Sequence, residues 1–111
     1  MIRLSLVIAT YNRAAQLLVT LDSVRRQHHA SQEWECIIVD NNSGDDTRSR
    51  VAEFIEQHAE FNFRYLFEPS QGLSYARNAG IRHAVGDIVA FIDDDERIVE
   101  EFVGAYIELF D

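Results

Sequence analysis

The sequence contains no lysine, one proline and one cysteine among its 111 residues. All ten basic residues are therefore arginine, and nineteen acidic residues leave a formal net charge of −9. Such an acidic chain argues against nucleic acid or an anionic membrane surface as a partner. Cys36 has no second cysteine to pair with, so we expect a small buried hydrophobic side chain in a reducing, cytosolic setting.

The missing lysine and the missing glycine-rich turns exclude several kinds of phosphate chemistry. A signalling receiver domain needs a lysine beside its phosphoryl group, and this chain has none. The segment ATYNRAA, which follows the first strand-like run, contains no glycine, and this excludes a dinucleotide-binding turn of the Rossmann type. A P-loop is excluded because its G-K-[ST] element is absent. No apolar run approaches the roughly 18 residues that a transmembrane helix requires.

Short apolar runs alternate with helical patterns along the whole chain. The predicted strands cover residues 3–10, 36–40, 63–68 and 87–93. The predicted helices cover residues 13–28, a segment from about 47 to 58, residues 73–84 and residues 98–110. This alternation predicts right-handed βαβ units, a mainly parallel sheet flanked by helices, and a single domain over residues 1–111. We expect one apolar face of the last helix to be formed by Ile98, Phe102, Ala105, Tyr106 and Leu109.

Polar side chains gather where three of the predicted strands end. The first strand ends in Thr10-Tyr11-Asn12, the second in Asp40-Asn41-Asn42-Ser43, and the fourth in Asp93-Asp94-Asp95-Glu96. Ligands of open parallel sheets bind outside the carboxyl ends of the strands, so these ends predict one binding crevice. The run DNNSGDD alone is also typical of a solvated turn.

The acidic run after the fourth strand predicts a site for a hard cation. In an extended segment Asp93 and Asp95 share one face, whereas Asp94 points away. Two such carboxylates can hold Mg²⁺ or Mn²⁺ while phosphate oxygens complete the coordination, so a diphosphate is the expected partner. The alternative is an acidic turn that caps the last helix, a role that we expect of Glu96. Arg77 is either a phosphate or base contact or a surface arginine.

Three segments together carry a family resemblance. VIATYNRAAQL, IIVDNNSGDDT and GLSYARNAGIRHAVGDIVAFIDDDE resemble the N-terminal half of the family 2 glycosyltransferases, which have the GT-A fold. The resemblance covers nearly the whole chain, with the segments in the family's order. It implies a nucleotide-sugar donor, commonly UDP-linked, a divalent metal and transfer to a hydroxyl acceptor.

The resemblance also implies roles for individual positions. The positions that match the family's nucleotide pocket are Thr10, Tyr11, Asn12, Asp40, Gly72, Arg77, Asn78, Asp93 and Asp94. Among them, Tyr11 matches the ring beside the base, and Asp40 matches the aspartate that accepts a hydrogen bond from uracil. Asp93 and Asp95 match the D-x-D motif and would hold Mg²⁺ or Mn²⁺.

No position matches the family's general base, so the resemblance places no catalytic residue in this chain and implies a base beyond residue 111. We therefore expect the chain to be a truncated, nucleotide-sugar-binding part of an enzyme for polysaccharide or glycoconjugate synthesis. We expect that enzyme to be cytoplasmic, either free or at the inner face of the membrane. Three alternatives remain open. They are a non-catalytic nucleotide-sugar-binding module, a homodimer formed through the last helix, and a nucleotidyltransferase of related fold.

Overall fold

The computed structural model describes residues 1–110. Its strands are β1 (Leu4–Thr10), β2 (Trp34–Asp40), β3 (Phe63–Phe67) and β4 (Ile88–Asp93). Its α-helices are α1 (Ala14–Arg25), α2 (Thr47–Gln57), α3 (Leu73–His83) and α4 (Phe102–Phe110), and a 3-10 turn precedes β2 at Ser31–Glu33. The predicted alternation of strands and helices is confirmed.

The four strands form one sheet in which every neighbouring pair is parallel, in the order β3-β2-β1-β4. In this register Thr10 at the end of β1 lies beside Asp40, and Ala9 lies beside Asp93. The carboxyl ends of three strands therefore meet at one edge of the sheet, as the polar residues after them predict.

The sheet is covered on both faces, as expected for strands with unbroken runs of branched apolar residues. On one face α1, α2 and α4 enclose the larger core, which includes Trp34 and the fully buried Cys36. Burial raises the pKa of the Cys36 thiol, as expected for a structural side chain. On the other face α3 packs its small residues against β1 and β2.

The prediction for the last helix was wrong in its start and partly wrong in its buried face, since Ile98, Phe102 and Tyr106 do pack against the core. α4 begins at Phe102, and it buries Val103 and Ile107, whereas Leu109 is 74% exposed. The helix starts late because the segment before it is tied to Gln27, just after α1. The Gln27 side-chain amide donates a hydrogen bond to the Val99 carbonyl at 2.7 Å, and its oxygen accepts one from the Val103 amide at 2.9 Å. A helix with this start turns the 103 and 107 positions toward the sheet.

Two smaller expectations also differ from the structure. Glu96 does not cap α4, because its carboxylate accepts a hydrogen bond from the Asp93 amide at 3.0 Å, well before the helix begins. His28 is exposed and lies beyond α1, which ends at Arg25. No helix within residues 1–110 is long and apolar enough to cross a membrane.

Candidate functional site

A cavity of about 270 Å³ opens at the carboxyl edge of the sheet, next to the end of β1 and the start of α3. Its lining consists of Ala9, Thr10, Tyr11, Arg13, Asn41, Leu73 and Asp94. A larger groove of about 660 Å³ lies on the outer surface of α1 and is lined mainly by that helix, away from the polar strand ends. The cavity is therefore the better candidate, because it is the one that the polar strand ends surround.

Asp94 is held in the wall of this cavity by two threonines. The Thr10 hydroxyl donates a hydrogen bond of 3.0 Å to the Asp94 carboxylate, and the Thr20 hydroxyl donates one of 3.0 Å to its backbone carbonyl. Burial raises the pKa of Asp94, and the charges of Asp95 and Asp93 raise it further, against the opposing effects of Thr10 and Arg13. Asp94 is thus a fixed carboxylate, only 9% exposed, in a place that favours a neighbouring positive charge.

That positive charge is the guanidinium of Arg13. Its Nη1 atom lies 3.5 Å from one carboxylate oxygen of Asp94 and 3.5 Å from one of Asp95. The expectation that Asp94 points away from its neighbours was therefore wrong for Asp95. The reason is that β4 ends at Asp93, so Asp94 and Asp95 belong to a turn in which side chains no longer alternate.

Asn12 fastens the loop after β1 to the loop after β2. Its side-chain oxygen accepts hydrogen bonds from the amides of Gly44 at 2.7 Å and Asp45 at 3.3 Å, and its own amide donates to the Ser43 hydroxyl at 2.9 Å. Its φ of 52° lies in the left-handed region, where asparagine is among the few residues tolerated. The contacts of Asn12 are therefore those of a residue that shapes the cavity rim.

Asp40 lies beneath the cavity and does not line it. The residue is 1% exposed, and its two carboxylate oxygens accept hydrogen bonds from the Tyr65 hydroxyl at 2.6 Å and the Ser43 amide at 2.9 Å. Burial raises the pKa of Tyr65, and the hydrogen bond to Asp40 adds to this effect. The base contact that the resemblance implies for Asp40 therefore remains a prediction.

Asn41, the next residue, lines the cavity and positions its far wall. Its side-chain oxygen accepts a hydrogen bond from the Gly72 amide at 2.9 Å, and its amide group donates to the carbonyls of Ser70 at 2.7 Å and Glu68 at 3.2 Å. Gly72 has a φ of 140°, which side chains rarely tolerate, and it immediately precedes α3. Sequence reasoning placed Asn41 among the polar strand ends but gave it no role of its own, and its place directly after Asp40 was the available signal.

The three remaining predicted residues, Arg77, Asn78 and Asp93, lie outside the cavity lining. The Arg77 guanidinium is stacked over the Phe91 ring, 5.2 Å from its centroid, on the face of the sheet that α3 covers. Asn78 is exposed one residue further along α3. Phe91 and Asp93 are both exposed residues of β4 and share that face, so Arg77 lies on the same side of the sheet as Asp93.

The donor atoms suit a hard divalent cation. Within residues 1–110, no three His, Cys, Asp or Glu side chains are grouped in a way that could hold a metal on their own. Asp94 and Asp95 nevertheless already converge on a single positive charge, that of Arg13. Two carboxylates are what Mg²⁺ typically takes from a protein, with phosphate oxygens and water supplying the other ligands.

Comparisons with known proteins show what the chain is similar to. Residues 5–111 match the family described as Glycosyl transferase family 2. An uncharacterized glycosyltransferase of Nostoc is 36% identical over 108 residues, which are 90% of this chain and 33% of the relative. UDP-Glc:alpha-D-GlcNAc-diphosphoundecaprenol beta-1,3-glucosyltransferase WfgD of Escherichia coli is 30% identical over 92 residues, which are 83% of this chain and 34% of the relative.

A solved structure shows the same fold. The mannosyltransferase PcManGT of Pyrobaculum calidifontis, in complex with GDP-Man and Mn²⁺, superposes with a TM-score of 0.91 at 29% identity. The match covers 98% of this chain and 32% of that protein. The chain thus spans about a third of the length of these relatives.

Proposed function

The chain belongs to glycosyl transferase family 2 and has its GT-A fold, and from this premise we propose that it binds a nucleoside-diphosphate sugar as donor. The donor would lie in the cavity at the carboxyl edge of the sheet. In place of the Asp93 and Asp95 pair that the resemblance implies, we propose that Asp94 and Asp95 would hold a divalent cation, Mg²⁺ or Mn²⁺, against its diphosphate. Asp93, the first position of the D-x-D motif, would lie beside them toward the ribose.

The observation that carries this proposal is the convergence of Asp94 and Asp95 on one cation beside the cavity. Carboxylates concentrated in this way repel one another unless a positive charge lies between them. Arg13 supplies one such charge, and a divalent cation would supply a larger one. Thr10 keeps the Asp94 carboxylate aimed at this position.

The other side chains of the cavity suit a nucleoside. The Tyr11 ring is about half exposed in the lining and offers a face on which a base can stack. Asn41 uses its side-chain amide on Gly72, Ser70 and Glu68, and so fixes the cavity wall against which the nucleoside would lie. A bound cation would act as a Lewis acid that stabilises the negative charge of the departing diphosphate.

We propose UDP as the nucleoside diphosphate of the donor, and a hydroxyl group as acceptor in polysaccharide or glycoconjugate synthesis. The Escherichia coli relative is named for a UDP-Glc donor, whereas the archaeal mannosyltransferase is in complex with GDP-Man. Both donors share the diphosphate and differ in the base, so the metal requirement and the base preference are separate questions. No residue of this chain is assigned as general base, so its contribution would be donor binding.

A thermal-shift panel tests the proposal directly. UDP, GDP, ADP and CDP are each added with and without Mn²⁺, and the unfolding temperature is measured. We expect the largest rise for UDP with Mn²⁺, since at equal concentration the ligand that binds more tightly stabilises the folded state more. A largest rise with GDP would overturn the choice of base and leave the metal-diphosphate site in place. The same small shift for every nucleotide, with or without Mn²⁺, would overturn the site itself.

A further inference from the structure

Arg13 occupies the position at which the proposed cation would bind. Among residues 1–110 it is the one basic side chain in an ion pair with Asp94 or Asp95. Both N–O distances are 3.5 Å, longer than the 2.7–2.9 Å of a charge-assisted hydrogen bond. The Arg13 side chain is also 53% exposed, and ion pairs exposed to water are weak. The guanidinium is thus a loosely held counter-charge.

The backbone of Arg13 is fixed, although its side chain can move. Arg13 immediately precedes α1, and its carbonyl accepts a hydrogen bond from the Leu17 amide at 2.9 Å as part of the first helical turn. Arg13 follows Thr10 by three positions, so the backbone at the end of β1 fixes the position of the Arg13 Cα atom. Rotation about the side-chain bonds alone can carry the guanidinium away from the carboxylates without disturbing the helix.

A divalent cation bound between these two carboxylates would compete with the guanidinium for them. Mg²⁺ binds carboxylate oxygens at about 2.1 Å, so it would come within a few ångströms of a guanidinium that stays in place. Like charges at such a distance repel by several times the thermal energy even in a partly solvated site. Binding of the metal therefore disfavours the present position of the Arg13 guanidinium.

From this geometry, and on the basis of the function proposed above, we infer that Arg13 is a resident counter-charge that the divalent cation displaces and that then binds the donor diphosphate. Arg13 already lines the donor cavity. A guanidinium presents paired N–H donors that match phosphate oxygens, and the bound diphosphate would give it a new partner as it leaves the carboxylates. Arg13 would thus oppose metal binding while no donor is bound. It would then help to hold the donor once the metal and the diphosphate are in place.

The inference predicts opposite changes in two affinities when Arg13 is replaced. In Arg13→Gln, Mn²⁺ alone should bind about threefold to fivefold more tightly, because the competing charge is gone. In the same variant, UDP at saturating Mn²⁺ should bind about tenfold more weakly, because a charged hydrogen-bond donor to phosphate is lost. Free Mn²⁺ is measured by electron paramagnetic resonance and UDP binding by calorimetry, and circular dichroism checks that the variant is folded.

Arg97→Gln is the matched control. It removes the same charge two residues after Asp95, from an exposed side chain that forms no ion pair within the described part of the chain. We expect it to change both affinities less than Arg13→Gln does. An Arg13→Gln protein with unchanged Mn²⁺ affinity, or with both affinities weakened, would overturn the inference while leaving the proposed function intact. Wild-type protein that binds neither Mn²⁺ nor UDP would overturn the proposed function and the inference with it.

Discussion

The Thr10 hydroxyl and the Asp94 carboxylate are joined by a hydrogen bond of 3.0 Å, although 84 positions separate them in the chain. The contact links the end of the central strand β1 to the turn after its neighbour β4. It turns Asp94 toward the cavity, where Arg13 also reaches Asp95. The proposed cation site therefore depends on the parallel pairing of β1 and β4, which brings the two segments together.

Thr10→Val tests this link, because valine has nearly the same shape and no hydroxyl. The change removes a donor from a mostly buried carboxylate, so the free energy of unfolding should fall by about 1–3 kcal/mol. UDP binding in the presence of Mn²⁺ should weaken as well, because Asp94 is no longer held toward the cavity. Thr20→Val is the matched control, since the Thr20 hydroxyl contacts only the backbone carbonyl of Asp94. Equal loss of UDP affinity in both variants would contradict the role given to Thr10.

Gly80→Ala tests the close packing of α3 on the sheet. A Cβ atom at Gly80 would lie 2.4 Å from Cγ1 of Val7, so either the helix or the strand must shift. We expect the free energy of unfolding to fall by about 1–3 kcal/mol, as in other overpacked cores. Gly104→Ala in α4 is the control, because its nearest neighbour would be His29 at 3.6 Å.

Chemical denaturation of both glycine variants measures the difference. Gly104→Ala should be neutral or stabilising by up to about 1 kcal/mol, since alanine favours a helix over glycine. If Gly80→Ala were as stable as Gly104→Ala, the packing of α3 described above would be wrong.

Tyr65→Phe tests the support of Asp40 and makes a prediction about pH. Burial and the Asp40 hydrogen bond raise the pKa of Tyr65 above the ordinary value of 10.0. The unfolded chain therefore loses this phenol proton at a lower pH than the folded protein does. The contribution to stability is present below pH 10.0 and is lost as the pH rises through the raised folded pKa.

The stability of the Tyr65→Phe variant should thus decline less steeply with alkaline pH than that of the wild type. At neutral pH it should be less stable by about 1–3 kcal/mol, because Asp40 loses a buried donor. Tyr75→Phe removes an exposed phenol and should keep the wild-type decline. Parallel wild-type and Tyr65→Phe curves across the alkaline range would show that Tyr65 is not perturbed in the folded state.

The fold could be read from the sequence because its signals are local. The branched runs of β1 and β2 predict strands buried on two faces, and the alternation with helices predicts a parallel sheet. The start of α4 could not be predicted in this way. It depends on a hydrogen bond that the Val103 amide donates to the Gln27 side chain, 76 positions away in the chain.

The sequence predicted where the polar strand ends meet better than it predicted how their side chains are arranged. The polar strand ends do meet at one edge, and Thr10, Tyr11 and Asp94 line one cavity there. The convergence of Asp94 and Asp95 was missed because β4 ends at Asp93, so side-chain alternation does not continue to Asp95. Asp40 was expected at the surface of the pocket, and its burial depends on Tyr65, whose position in β3 no local pattern reveals.

The central claim is that Asp94 and Asp95 hold a divalent cation against the donor diphosphate. Calorimetric titration of UDP into the wild type and Asp95→Asn, each with Mn²⁺ and with a chelator, tests it most directly. We predict that the wild type binds UDP at least about tenfold more tightly with Mn²⁺. We also predict that Asp95→Asn loses most of this gain and keeps its weak binding in chelator. Equal UDP affinity of the wild type with and without Mn²⁺ would contradict the account.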